Sequence, residues 1–298
     1  GLYAPIAYTM AAGGKRVRPQ LAMIACGIFG GNEQEVAPAA MALEVFHNFT
    51  LLHDDVMDKA EVRRGRPTVH IQWNENTAIL SGDQMMIEAY KLLAEVPADK
   101  LHKVLRLFNK MATEICEGQQ YDVDFESQEH VTIEEYLKMI RLKTSVLLAT
   151  ALQIGSYLVG ANEAQQEALY QFGINVGLAF QIQDDILDVW GDPKTFGKAV
   201  GGDISCNKKT YVYLTAQKLA DDELAEELHQ WYGSVLDDNT EKIAAVKGIF
   251  EQLNVRAACE AVVEDYTQKA LLILDTLPQN AATEQLRQLA NKLNTRKD

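Results

Sequence analysis

The sequence predicts an all-α fold, a single large helical bundle around a central cavity, and three observations carry that expectation. Apolar residues recur at three- and four-residue intervals over most of the chain, Val and Ile stand singly rather than alternating, and the Asn-Gly and Asp-Gly pairs that turn β-hairpins are absent. Sheet is therefore not supported. The 298 residues suffice for a large core, and no Pro-, Gly- or Ser-rich linker divides them, so 1–298 reads as one domain.

Pro19 sits where a first helix can begin, and LAMIACGIFG stays apolar until Gly30 and Gly31 stop it. Ala39 to Lys59 is a second helix, with Met41, Val45, Phe49 and Leu52 at helical spacing. Lys59 to Pro67, with Gly65, breaks the pattern as a loop. Helices follow over Ile79–Ala94, Leu101–Glu117, Ile133–Gly160, Glu163–Val189, Tyr211–Leu219, Asp222–Trp231, Thr240–Leu274 with an internal break, and Ala281–Leu293. Ser145 to Ala161 is the longest uncharged run, but Thr150, Gln153 and Ser156 make it a buried helix rather than a membrane span.

A hydrophobic content of 47% is globular, and a net charge of -14 repels polyanions, which excludes general nucleic-acid or anionic-membrane binding. Cys26, Cys116, Cys206 and Cys259 form no CxxC or metal spacing and read as reduced thiols of a cytoplasmic protein. No secretory signal is visible, and the opening at Gly1 rather than Met suggests a missing N-terminal piece.

One aspartate pattern occurs twice: Asp54, Asp55 and Asp58 in LLHDDVMDKAEVRRG, and Asp184, Asp185 and Asp188 in FQIQDDILDVWGD. Helical residues four apart share a face, so Asp54 projects with Asp58 and Asp184 with Asp188. Carboxylates beside Leu51, Leu52, Ile182 and Ile186 repel one another and are costly unless a cation compensates them. Hard oxygen donors point to Mg2+, which keeps waters and is completed by substrate phosphate. A single such motif in an acidic chain would as readily be solvated surface; two in matching apolar frames are not.

Cations suited to phosphate adjoin these motifs. GGKRVRP places Lys15, Arg16 and Arg18 at a helix start, where backbone N–H groups also favour anions, and Arg63 and Arg64 follow the first motif. Lys143 precedes Thr144, and FGKAVGGDISCNKKT adds Lys198, Asp203, Lys208 and Lys209 after the second motif. Arg16, Arg66 and Lys209 are read as ordinary solvated charges. His47 stands seven residues, two turns, before Asp54 on the same helical face.

These segments, together with RRGRPT, GDQMM, EGQQYD and RLKTSVLL in that order, resemble the trans-type isoprenyl diphosphate synthases, the polyprenyl synthetases. The resemblance covers about the first two-thirds of the chain; the remainder shows amphipathic helices alone. It implies a helical homodimer that joins an allylic diphosphate to isopentenyl diphosphate with Mg2+. By resemblance, Lys15, Arg18, His47 and Arg64 form the isopentenyl diphosphate pocket. Arg63, Lys143, Lys198 and Lys208 grip the allylic diphosphate. Asp54, Asp58 and Asp184 bind Mg2+ directly, and Asp55, Asp185, Asp188 and Asp203 bind through water or orient the ligands. Thr144 and Gln181 direct oxygen dipoles at the allylic cation, while Gln119 and Asp122 support.

In this family the residues before the first aspartate line the pocket for the growing chain. Phe49 lies five residues before Asp54, about 7.5 Å along the helix, and Phe46 a further turn back. With Met85 and Met86 they would close the pocket at a C15 or C20 product; the bland reading makes both rings plain core. Thr50 departs from a double-aromatic farnesyl pattern. Rival readings are a longer-chain synthase, a class I terpene cyclase, which leaves Lys15, Arg18, His47 and Arg64 unexplained, and a noncatalytic subunit, which the six intact aspartates oppose.

Overall fold

The computed structural model describes residues 1–192, 200–234, 236 and 238–295. In chain order the elements are α1 (Tyr3–Met10), α2 (Val17–Ile28), α3 (Glu33–Met57), β1 (Val62–Arg63), β2 (Arg66–Pro67), α4 (Val69–Gln72), α5 (Glu75–Leu93), α6 (Ala98–Ser127) and α7 (Ile133–Ile140). A π-turn (Arg141–Ser145) then joins α7 to α8 (Val146–Leu158), followed by α9 (Glu163–Trp190), α10 (Gly202–Ser205), α11 (Tyr211–Leu219), α12 (Asp222–Gly233), α13 (Thr240–Gln252), α14 (Val255–Leu274) and α15 (Ala281–Thr295). The all-α class is as the sequence predicts.

The differences have local causes. α3 starts at Glu33 rather than Ala39 because the Asn32 side chain accepts from Gln34 N at 3.0 Å, and Glu33 and Glu35 favour the positive helix end. The loop after α3 is a two-residue antiparallel ladder, Val62 opposite Pro67, turned by Arg64 and Gly65 at φ 52 and 71. An Arg-Gly pair thus supplies the two positive φ values that Asn-Gly usually supplies. α1 and α4 were not anticipated, and α6 runs ten residues past Glu117. The helix expected over Ile133–Gly160 contains the π-turn, and the break expected in 240–274 falls at Asn254, φ 54.

The chain divides into two compact units. The first comprises 1–109, 150–169 and 280–283; the second comprises 110–149, 170–279 and 284–298. In the first unit α3 buries Val36, Leu43, Phe46 and Phe49, and α5 buries Met85, Ala89 and Leu93. Asn280 reaches back to cap α2, donating to the Ile28 carbonyl at 2.9 Å. In the second unit Phe172, Ile182, Ile186 and Phe250 are buried, and Tyr213 stacks on Tyr232 with centroids 3.9 Å apart. Among the described residues no helix is long and apolar enough to cross a membrane.

Candidate active site

The first unit holds the first aspartate motif at the C-terminal end of α3. Asp58 N donates to the Asp54 carbonyl at 2.8 Å, so both residues stay on one helical face before Lys59, φ 52, ends the helix. Helix C-termini carry partial negative charge, and three carboxylates there add to it. The hairpin answers part of this: Arg63 Nε donates to Asp55 Oδ1 at 2.6 Å, and its Nη2 lies 3.5 Å from Asp54 Oδ2. Asp55 is buried, and burial raises its pKa in spite of Arg63.

Ahead of this motif lies a basic cluster. His47 is buried on α3, and its pKa is held well below the ordinary histidine value by burial and then by Arg18, Arg64, Arg63 and Arg16. Burial lowers the Arg18 pKa to about 10; Glu44 opposes this and Arg64 adds to it. Among the described residues the buried Arg18 Nε has no hydrogen-bond partner. The Arg64 pKa is lowered by burial and by Arg16 and Arg63. Guanidiniums that weaken one another in this way create a field that an anion would relieve. Gly14, φ 117, lies against Arg64: a methyl there would come within 2.9 Å of its Cζ, and Arg64 Nη1 donates to the Gly13 carbonyl at 2.6 Å. Lys15 is exposed in the same loop. A small cleft, about 40 Å³, opens between Tyr8 and Thr9 of α1, Asn48 and Asp55 of α3, and the hairpin arginines.

Three solvated readings are corrected. Arg16 donates to Glu44 Oε1 and to the Met10 carbonyl, because the buried Glu44 requires a counter-charge. Arg66 stacks on Tyr8, 3.9 Å from its centroid, and Lys209 Nζ donates to the Phe125 carbonyl at 2.8 Å. Glu44 and Tyr8 were missed in the sequence, since nothing local to either signals a partner so distant along the chain.

Behind the motif, Phe46 and Phe49 are both buried, with centroids 5.4 Å apart. Phe46 also meets Phe108 at 5.1 Å, Phe49 meets His53 at 4.8 Å, and Met85 is fully buried.

The second unit holds Asp184, Asp185 and Asp188 near the C-terminal end of α9, again at the negative end of a helix. Asp185 is fully engaged: Oδ2 accepts from Tyr136 Oη at 2.6 Å and Tyr211 N at 3.1 Å, and Oδ1 from Gln181 Nε2 at 3.3 Å. Burial and then Asp203 raise its pKa well above the usual carboxylate value. Asp188 Oδ2 accepts from Asp203 N at 3.0 Å.

Lys143 and Thr144 sit on the π-turn, a form that recurs at functional positions in helices. Lys143 Nζ donates to Asp122 Oδ2 at 2.5 Å, and Thr144 Oγ1 donates to Gln181 Oε1 at 3.3 Å. Gly118 of EGQQYD lets α6 close on this turn, since a methyl there would overlap the Lys143 backbone nitrogen. Lys208 is exposed; its N donates to the Asp203 carbonyl at 2.9 Å. Lys198 lies outside the described residues. Tyr136 and Gly118 are the contributors here that sequence reasoning missed.

Among the described residues no group of three or more His, Cys, Asp or Glu side chains is gathered to hold a metal ion unaided. The donor set nevertheless fits Mg2+, which binds through one or two carboxylates and completes its shell with water and phosphate oxygens.

The profile of the polyprenyl synthetase family matches residues 1–253. A geranylgeranyl diphosphate synthase of Methanosarcina mazei is 43% identical over 217 residues, 72% of this chain and 67% of the relative. A geranylfarnesyl diphosphate synthase of Natronomonas pharaonis is 37% identical over 312 aligned positions, 98% of this chain and 89% of the relative. A crystal structure of a geranylgeranyl pyrophosphate synthase superposes with a TM-score of 0.95 at 46% identity, covering 100% of this chain and 92% of that one.

Proposed function

The chain belongs to the polyprenyl synthetase family, and on that premise we propose that it condenses isopentenyl diphosphate with dimethylallyl, geranyl or farnesyl diphosphate to give a short trans-prenyl diphosphate of C15 or C20. It is a trans-prenyltransferase. The observation that carries the two-diphosphate reading is the buried His47, whose pKa is held well below the ordinary histidine value by burial and then by Arg18, Arg64, Arg63 and Arg16. A diphosphate answers that field, and a cyclase acting on one diphosphate has no use for it.

Lys15, Arg18, His47 and Arg64 then bind isopentenyl diphosphate; Arg16 assists by holding Glu44. Arg63, Lys143, Lys198 and Lys208 bind the allylic diphosphate. Asp54, Asp58 and Asp184 are assigned as direct Mg2+ ligands, while Asp55, Asp185 and Asp188, each buried, orient them or act through water. Bound Mg2+ would neutralise charge on the departing diphosphate and so favour cleavage of the allylic C–O bond. Lys143, held by Asp122, adds charge to the same end. Thr144 and Gln181 offer oxygen dipoles to the positive carbon, and released diphosphate can accept the proton after coupling, so no side-chain base is required. The family profile, which matches residues 1–253 without interruption, supports assigning 1–298 as one catalytic domain.

The Phe46–Phe49–Phe108 stack supports a short product, and the geranylgeranyl relatives favour C20 within the range. A homodimer is supported by the apolar face of α5, where Ile79, Leu80 and Ile87 are exposed at 43%, 59% and 52%. Four free cysteines support a reducing, cytoplasmic setting.

The test is incubation with Mg2+, isopentenyl diphosphate and each primer in turn, with product length read by chromatography. Condensation to C15 or C20 is expected. Absence of condensation with every primer overturns the synthase reading, a released hydrocarbon favours the cyclase, and chains of C30 or longer overturn the short-product assignment.

A further inference from the structure

The last third of the chain carries no motif, yet α13 bears a lysine where a lysine is costly. Lys242 is 1% exposed, and burial lowers its pKa. Its Nζ donates to Asn207 Oδ1 and, at 3.1 Å, to the Ser234 carbonyl. Asn207 is left-handed, φ 57, at the end of a segment that begins with Gly201 at φ 86. The residue after Lys242 closes the other end: a methyl on Gly201 would lie 2.8 Å from Ile243 Cγ2. Two successive residues of α13 thus hold both ends of 201–207. Between them Gly201 N donates to the Asp188 carbonyl at 2.7 Å, and Asp203 N to Asp188 Oδ2 at 3.0 Å.

We propose that Lys242 is a positioning residue for the second aspartate motif: by fixing Asn207 it sets the 201–207 segment, whose Asp203 amide orients the Asp188 carboxylate. The inference rests on the reading of that motif as the allylic diphosphate and Mg2+ side of the reaction. Stability alone does not account for this lysine. Among the described residues the ammonium meets two neutral oxygens and the Tyr232 ring, whose centroid lies 6.0 Å away; these repay its desolvation only in part, and an unbranched apolar chain of similar length would fill the same space without that cost. What the ammonium adds is direction, since it bridges a loop amide to the start of α13.

Lys242→Met and Asn207→Gly remove the tether from opposite ends; Met keeps the length of the stem and Gly keeps the left-handed backbone. Each is expected to raise the allylic KM and the Mg2+ concentration for half-maximal rate by about tenfold, with the isopentenyl diphosphate KM unchanged. The double variant should be no worse than the more affected single. If melting temperatures fall while these parameters hold, or if the two effects add, Lys242 is structural only and the inference fails. Should one variant not fold, the other carries the same test. A wild-type enzyme that condenses nothing takes down the functional reading and this inference together, whereas an active wild type with kinetically unchanged variants sinks this inference alone.

Discussion

The Tyr136 hydroxyl donates to Asp185 Oδ2 at 2.6 Å, a contact between residues 49 apart in sequence. Together with the Tyr211 amide and Gln181 it occupies the Asp185 carboxylate from the protein side. Asp185 therefore braces the motif, as Asp55 does in the first unit through Arg63. Tyr136→Phe should cost about 1–3 kcal/mol of stability, as loss of a buried hydrogen bond to a carboxylate does. It should also raise the Mg2+ requirement, read by titrating Mg2+ at fixed substrate. An unchanged Mg2+ profile would separate Asp185 from the metal side.

Asp54 should behave differently. It lies at the negative end of α3, beside Asp55 and one turn before Asp58, so repulsion from these charges offsets what its ion pair with Arg63 contributes to the fold. Asp54→Ala is expected to abolish turnover while thermal unfolding stays within about 0.5 kcal/mol of wild type. Retained turnover would remove Asp54 from the ligand set.

The buried His47 ties stability to pH. Its folded pKa is depressed, so as pH falls through the ordinary value of about 6.5 the unfolded chain takes up a proton that the folded chain refuses. The stability contribution is whole above that value and is lost below it. The melting temperature of wild type should fall more steeply between about pH 7.5 and 5.5 than that of His47→Gln, which cannot titrate. Parallel curves would mean that the fold leaves the His47 pKa where the unfolded chain has it.

How far the site could be read from sequence depends on where its partners lie. The helical placement of Asp54, Asp58, Asp184 and Asp188, which makes them candidates, was legible because carboxylates at one-turn spacing in apolar helices are costly, and that cost is local. Lys143 was legible by adjacency to Thr144. Tyr136, Glu44 and Tyr8 were not, because each acts through a residue that only the fold brings near: Asp185, Arg16 and Arg66. Helix was legible from period over most of the chain, though not for the short α1 and α4. The π-turn was not, since its extra residue leaves the apolar pattern of Leu142, Val146 and Ala149 intact.

Two glycines test whether that turn matters. A methyl at Gly118 would overlap the Lys143 nitrogen within the π-turn, and one at Gly173 would overlap the Ala149 backbone in α8 beyond it. Both Gly→Ala changes should destabilise by about 1–3 kcal/mol through overpacking. Gly118→Ala alone should raise the allylic KM. Equal kinetic effects would reduce the Gly118 contact to ordinary packing.

Phe49 decides between pocket floor and plain core. Its ring is 8% exposed and lies on Phe46 and His53, so Phe49→Ala must cost stability under either view, about 3–5 kcal/mol where the site cannot collapse. The two views part at the product. If the ring stops the growing chain one to two turns behind Asp54, its removal opens depth that Phe46 and Phe108 then bound, and the main product should lengthen by one isoprene unit. Phe46→Ala, a turn deeper, should lengthen it only when Phe49 is also small, because the upper ring stops the chain first. Product distributions of the two single variants and the double, measured at a temperature where all remain folded, check this order. Lengthening by Phe46→Ala alone would show that the chain does not pass Phe49 on its way down.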